Sequence, residues 1–270
     1  MEAMSREVTQ VETLLSDWNK AIDRALGRGA LLDAAAMAQI VLRELPRHLA
    51  TYQRLLRMTW TLKRWDEGED WARRLLQADP GNALAWRSLA RAAEQRGRRG
   101  QAHAMWQRAF EMAPYDPETR AGLVRTSLDD PHAPALDLAC LGTLYRRGRR
   151  WDHAAAVYRQ LVKADPRRID FQICLMLALW QSRATGEAYA LARHLVQHQP
   201  HLLLAWATLD AVGDENDQAL ARHPLASMDP DGEFVSGVLG MPVARDPVML
   251  TLSLEDAVWL DAYLAEKTAL

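Results

Sequence analysis

The chain has 270 residues, 49% of them hydrophobic and 25% charged, with a formal charge of −2, which is ordinary globular usage and allows a substantial core. No apolar run approaches the roughly 18 residues that a membrane-crossing helix needs, and the opening MEAMSREVTQVE is charged where a secretory leader is apolar, so a cytoplasmic protein is expected. Cys140 and Cys174 form no CxxC pair, which argues against a disulfide framework and a zinc ribbon.

Prolines set the ruler along the chain. Pro46, Pro80 and Pro114 are 34 residues apart, and so are Pro166 and Pro200. A first unit opens at Trp18 and carries Ala34 and Ala38 before Pro46. A second runs from Tyr52 through Leu55 and Leu56 to Pro80, with Gly68 and Ala72 weakening its second helix. The third, Trp86 to Pro114, is the fullest. Trp86, Leu89 and Ala90 share one face of a helix that stops near Gly97, and Ala102, Trp106 and Ala109 share one face of the next. Then comes an interruption, because Pro114 to Pro166 is 52 residues, one period plus 18. The extra piece reads as one helix, from about Pro117 to Leu128, followed by a loop with two prolines, as if its partner helix were lost. Leu138, Leu141, Gly142, Tyr145, Ala154, Tyr158 and Pro166 form a fourth unit; Leu175, Ala188, Ala192 and Pro200 mark a fifth; Trp206 opens a sixth.

A Trp, a Leu beside a small residue, an Ala with an aromatic four later and a closing Pro resemble the tetratricopeptide repeat. The resemblance implies an all-α α-solenoid, a right-handed superhelix of helix-turn-helix repeats, interrupted at about 115–135. Each unit hides its apolar side against the next, so Trp86, Trp106, Tyr145 and Tyr158 read as core and Cys140 and Cys174 as buried thiols on neighbouring first helices. The array is expected over 1–213, and 214–270 as a separate segment with one short helix near Gln218 and an extended piece at 248–252. Ser253 then caps a final amphipathic helix ending near Lys267, whose Val258, Leu260, Tyr263 and Leu264 cover the end of the stack.

Charge is distributed unevenly. Residues 1–209 hold 30 Lys and Arg against 23 Asp and Glu, and residues 210–270 hold 3 against 12. An acidic tail of this kind pairs with something basic, in the same chain or another. Arg57, Arg91 and Arg125 recur at intervals of 34 on three successive first helices, with Arg54 and Arg87 beside them. In tetratricopeptide proteins that part of the first helix usually faces a concave, peptide-binding groove, and a guanidinium fork suits carboxylates. The plainer reading is a solvated face of good helix formers. Lys63, Arg64, Arg96, Arg98, Arg99, Arg146, Arg147, Arg149 and Arg150 fall at the turns, where cations complement helix dipoles. Chaperone-tail receptors of the family grip a terminal carboxylate with Lys and Asn. Here the row is arginine and Asn19 is the only early asparagine on that face, which leaves an acidic peptide but disfavours a chaperone tail.

Catalytic patterns are weak. His194, His198 and His201 lack a completing ligand and are broken by Pro200, Asp229-Pro-Asp231-Gly lacks the later ligands of a calcium loop and reads as a turn, and no phosphate loop or nucleophile elbow occurs. The expected function is a non-catalytic scaffold or adaptor without metal or cofactor. It binds an acidic peptide or partner protein through Arg54, Arg57, Arg87, Arg91 and Arg125, with its acidic segment as regulator, and it fits a larger complex. A nucleic-acid-associated protein using the basic turns, less favoured, and an accessory subunit of an enzyme complex are the alternatives. Self-association between a positive array and a negative tail stays open.

Overall fold

The computed structural model describes residues 10–127 and 134–265, so the helix ends expected at Leu128 and Lys267 lie outside the described residues. Helices follow one another in pairs: α1 (Leu15–Arg28) and α2 (Leu31–Glu44), α3 (Leu49–Leu62) and α4 (Trp65–Ala78), α5 (Ala83–Gln95) and α6 (Arg99–Met112). One helix, α7 (Pro117–Thr126), interrupts the series. Pairing then resumes with α8 (Leu138–Arg147) and α9 (Trp151–Ala164), α10 (Ile169–Gln181) and α11 (Thr185–His198), α12 (Leu203–Val212) and α13 (Glu215–Met228). The fold is an all-α solenoid of helix pairs.

Three local rules repeat with the 34-residue period. Each second helix up to α11 stops two residues before its proline, and the intervening Leu45, Asp79, Ala113, Asp165 and Gln199 leave the helical region at φ between −124° and −144°. Proline's ring disfavours helical backbone in the residue before it, which explains the stop. Six residues after each of those prolines a side chain donates to the proline carbonyl: Tyr52 Oη to Pro46, Trp86 Nε1 to Pro80, Arg120 Nη1 to Pro114, Gln172 Nε2 to Pro166 and Trp206 Nε1 to Pro200, at 2.6–3.2 Å. Trp86 is therefore a half-buried tie rather than a core filler, whereas Trp106 is fully buried as expected.

The third rule concerns the turn between paired helices, where Gly29, Lys63, Gly97, Arg149 and Arg183 take positive φ of 54–76°. A Cβ makes this conformation cost about 1–2 kcal/mol. Lys63→Gly and Arg183→Gly are thus expected each to gain roughly 0.5–1 kcal/mol in urea unfolding, after the extra chain entropy of glycine. Unchanged midpoints would show that the two long side chains offset the strain.

Two compact units divide the chain, one of residues 1–58 and 226–270 and one of residues 59–225, and the division falls inside α3 and α13. In the second unit α6 packs against both α7 and α8, so stacking continues past the interruption. Ala90, Ala93, Ala102, Trp106, Ala109, Phe110, Leu123 and Cys140 form one core there, and Tyr158, Phe171, Cys174, Leu175 and Ala188 belong to the next. Both cysteines are buried free thiols, and burial pushes them up to about 12 for Cys140 and about 11 for Cys174, so neither is a ready nucleophile. Gly68 does more than weaken α4: a Cβ there would stand 2.9 Å from Thr59 Cγ2, so glycine permits the close approach.

The extended piece expected at 248–252 is β2 (Met249–Ser253) in the first unit, and it pairs antiparallel with β1 (Gln10–Leu14), a strand that sequence reading missed. The stretch 214–247, expected to hold one short helix, carries all of α13 and all of α14 (Glu233–Leu239). Ser253 Oγ accepts from Asp256 N and caps α15 (Leu254–Ala265), as expected. However, α15 packs on α1, β1 and β2, so it covers the first helix pair of the chain rather than the last. Leu250, Leu252 and Leu260 are 2–4% exposed beside this pair's buried Leu15, Trp18 and Ile22. Among the described residues no helix is long and apolar enough to cross a membrane.

Candidate functional site

The first unit brings together a cluster of polar groups. Asn19 and Asp23 are four residues apart on α1 and so share a face. His48 immediately precedes α3, and Thr51 and Arg54 lie in its first half. Facing them is the turn Asp229-Pro-Asp-Gly-Glu233 that leads into α14. This turn is built locally: the Asp229 oxygens accept from Phe234 N (2.8 Å) and Val235 N (3.0 Å), Gly232 takes φ +70°, and Asp231 accepts from Glu233 N (3.2 Å).

Each projecting carboxylate is then gripped from two helices. Asn19 Nδ2 donates to Asp231 Oδ2 and Glu233 Oε2, both at 2.9 Å. Arg54 Nη2 reaches Glu233 Oε1 at 2.6 Å, while Arg54 Nε and Nη2 form a fork on Asp23 at 3.0 and 2.8 Å. His48 Nε2 lies 3.3 Å from Asp231 Oδ1, and its Nδ1 lies 2.8 Å from Thr51 Oγ1, which suits a proton on Nε2. Burial works against the charge of Arg54, but Asp23 and Glu233 outweigh it and raise its pKa. Burial likewise opposes ionisation of Asp231, yet the hydrogen bond from His48 prevails and lowers its pKa.

His48, Asp229 and Asp231 can bring three ligand atoms within 4.8 Å of one another. Donors already aim at these carboxylates: two backbone N–H groups at Asp229, and Asn19, His48 and a backbone N–H at Asp231. The chemistry is that of a hydrogen-bonded clasp for carboxylates rather than a cation cage. Of these residues, sequence reading singles out Arg54 and Asn19 and reads Asp229–Asp231 as the turn that it is, while His48, Asp23 and Glu233 are not singled out.

The other arginines fare differently. Arg57 is exposed on α3. In the second unit, Arg87 Nη1 binds Asp116 Oδ2 at 2.8 Å, Arg91 pairs with Glu118, and Arg125 Nη2 binds Glu94 Oε2 at 3.0 Å. These pairs run between α5 and α7. The Arg91 guanidinium also lies 4.3 Å from the Trp60 ring centroid, and burial with like-charged Arg87 nearby lowers its pKa to about 10. Arginines at these positions are therefore matched, carboxylate by carboxylate, across adjacent first helices. Of the three histidines around Pro200, His194 and His198 lie on α11 and are exposed, with ring centroids 4.4 Å apart.

The helix pairs of this chain resemble tetratricopeptide repeats in the 34 residues that separate their closing prolines on either side of α7. No family model matches the sequence, and no curated protein matches it. Among solved structures, the chain is similar to a tetratricopeptide repeat protein from Parabacteroides merdae ATCC 43184, with 13% identity, 83% of each chain covered and a TM-score of 0.34. It is similar to Pseudomonas aeruginosa pilF, with 15% identity, 82% of this chain and 98% of that chain covered, and a TM-score of 0.32. A third similarity is to a structure of Naa15/Naa10 bound to HypK-THB, with 12% identity, 94% of this chain and 41% of that chain covered, and a TM-score of 0.33.

Proposed function

We propose that this protein is a non-catalytic interaction scaffold that receives an acidic segment of a partner protein on the faces of its first helices. The observation that carries this reading is the grip on Asp231 and Glu233: Asn19 and Arg54 each take one oxygen of Glu233, and Asn19 and His48 take the two of Asp231. Carboxylates two residues apart in a tight turn are the chemistry this face already accepts. Arg57 stands three residues beyond Arg54 on α3 and is exposed. Arg87, Arg91 and Arg125 hold carboxylates in the same manner, and a multiply acidic segment competes for them. The acidic C-terminal segment then acts as a built-in competitor. A cytoplasmic setting suits two buried, unpaired cysteines.

The test is a titration of a fluorescent peptide bearing Asp-Gly-Glu into the full chain, followed by anisotropy. Asp231→Asn combined with Glu233→Gln is expected to tighten binding about tenfold, equivalent to ~1.4 kcal/mol. Arg57→Glu and Arg91→Glu are expected to weaken it by a similar factor, with helicity unchanged. The same affinity in wild type and all variants would remove the acidic-partner reading.

A further inference from the structure

In the second unit, α5, α7, α10 and α12 each pack on the second helix directly before them, respectively α4, α6, α9 and α11. Among the described residues α8 has no such helix before it, because α7 stands alone; it leans on α6, which α7 already occupies. We propose that α8 pairs instead with the α8 of a second copy of this chain, antiparallel about a twofold axis.

Two sides of α8 are occupied within the chain. Cys140 is fully buried and Thr143 Oγ1 donates to Glu111 O of α6 at 2.8 Å, while a Cβ on Gly142 would stand 3.0 Å from Tyr158 Cζ of α9. The remaining side carries Leu138, Leu141 and Tyr145 at i, i+3 and i+7, one stripe of the helix. Leu141 holds the place that Ala21, Leu55, Leu89, Leu123, Leu175 and Leu209 hold in the other first helices. Those six are 0–8% exposed, but Leu141 is 38% exposed and Leu138 39%. Leu136, just before the N-cap Asp137, extends the open patch.

The neighbour that the stripe lacks is an apolar helix, and α8 is itself one. Charge decides both occupant and direction. Asp137 is exposed at the start of the helix, and Arg149 and Arg150 are exposed just past its end. In an antiparallel pair each end meets its opposite, Asp137 of one copy near Arg150 of the other, and the helix dipoles oppose. A parallel pair would set like charges side by side. With the axis near Leu141 the stripe packs on itself, the isologous contact of a twofold dimer. A helix of 10 residues spans only about 15 Å, so the contact is small and a dissociation constant of roughly 10–100 µM is expected. No residue of the acidic stretch 210–270 takes part, so the pairing is independent of the acidic-partner reading.

Sedimentation equilibrium of the full chain tests the dimer. The apparent mass is expected to rise with concentration from 30.5 kDa toward twice that value and to stop there. Leu141→Glu is expected to weaken association about tenfold or more. Leu32→Glu, at an apolar residue 75% exposed on α2, is expected to leave association unchanged. Arg150→Glu is expected to weaken it about fivefold, which keeps the test decisive should Leu141→Glu fail to fold. Asp231→Asn combined with Glu233→Gln is expected to leave the dimer intact, which separates this contact from a pairing of basic array with acidic tail. A monomer at every concentration up to about 1 mM, growth past a dimer, undiminished association of folded Leu141→Glu or of Arg150→Glu, or loss of the dimer in the Asp231 and Glu233 variant would each overturn the proposal.

Discussion

Gly122→Ala is expected to lower stability by about 2–3 kcal/mol, although alanine is the better helix former. A Cβ at this position of α7 would stand 2.3 Å from Cδ2 and Cε2 of Trp106, and 2.7 Å from Cζ2. Real carbons do not approach so closely, so the ring or the helix has to move. Trp106 is fully buried, and Ala102, Ala109, Phe110, Leu123 and Cys140 belong to the same core, so the ring has little room to retreat. The gain of about 1 kcal/mol in helix propensity is the smaller effect. Gly122→Val is expected to cost more still. A fall in melting temperature of roughly 5–10 °C is the expected readout for Gly122→Ala. In a double-mutant cycle, Trp106→Leu is expected to recover at least about 1 kcal/mol in the Gly122→Val background. Simple additivity of the two changes would show that α7 does not rest on that ring.

Arg54→Ala is the second large effect, and it is expected to cost roughly 2–3 kcal/mol. The guanidinium is 4% exposed and joins Asp23 of α1 to Glu233 of α14. Removing it leaves two carboxylates near each other with their shared cation gone. Breaking a fully buried pair costs about 3–5 kcal/mol; here both carboxylates keep a wet side, which screens part of the loss. Arg57→Ala, three residues along the same helix but exposed, is expected to change stability by less than about 0.5 kcal/mol. Glu233→Gln is expected to fall between the two, since the amide still accepts one hydrogen bond. Urea unfolding of the three variants separates these cases. Equal effects for Arg54→Ala and Arg57→Ala would mean that the clasp holds nothing together.

Most of the helical framework was legible because its causes are local. Proline disfavours helical backbone before it, so Pro46, Pro80, Pro114, Pro166 and Pro200 announced where second helices stop. Small residues at fixed offsets marked the close faces, as at Ala102 and Ala154, both fully buried. The site was legible only in part. Arg54 and Arg87 read from sequence as neighbours of the Arg57, Arg91, Arg125 row, and nothing in their spacing says that one binds Asp23 and Glu233 while the other binds Asp116. Asp23 itself occupies the place 34 residues before Arg57, so the recurring position starts with the opposite charge.

The chain by itself determined where helices start, turn and stop, because backbone sterics and apolar periodicity act within a few residues. Only the tertiary structure decided that Gln10–Leu14 pairs with Met249–Ser253, that α15 covers α1, and that Asp231 and Glu233 meet Asn19, His48 and Arg54. Those contacts join residues more than 170 positions apart. A five-residue strand or a lone carboxylate carries no mark of its partner, so the choice belongs to the packed chain.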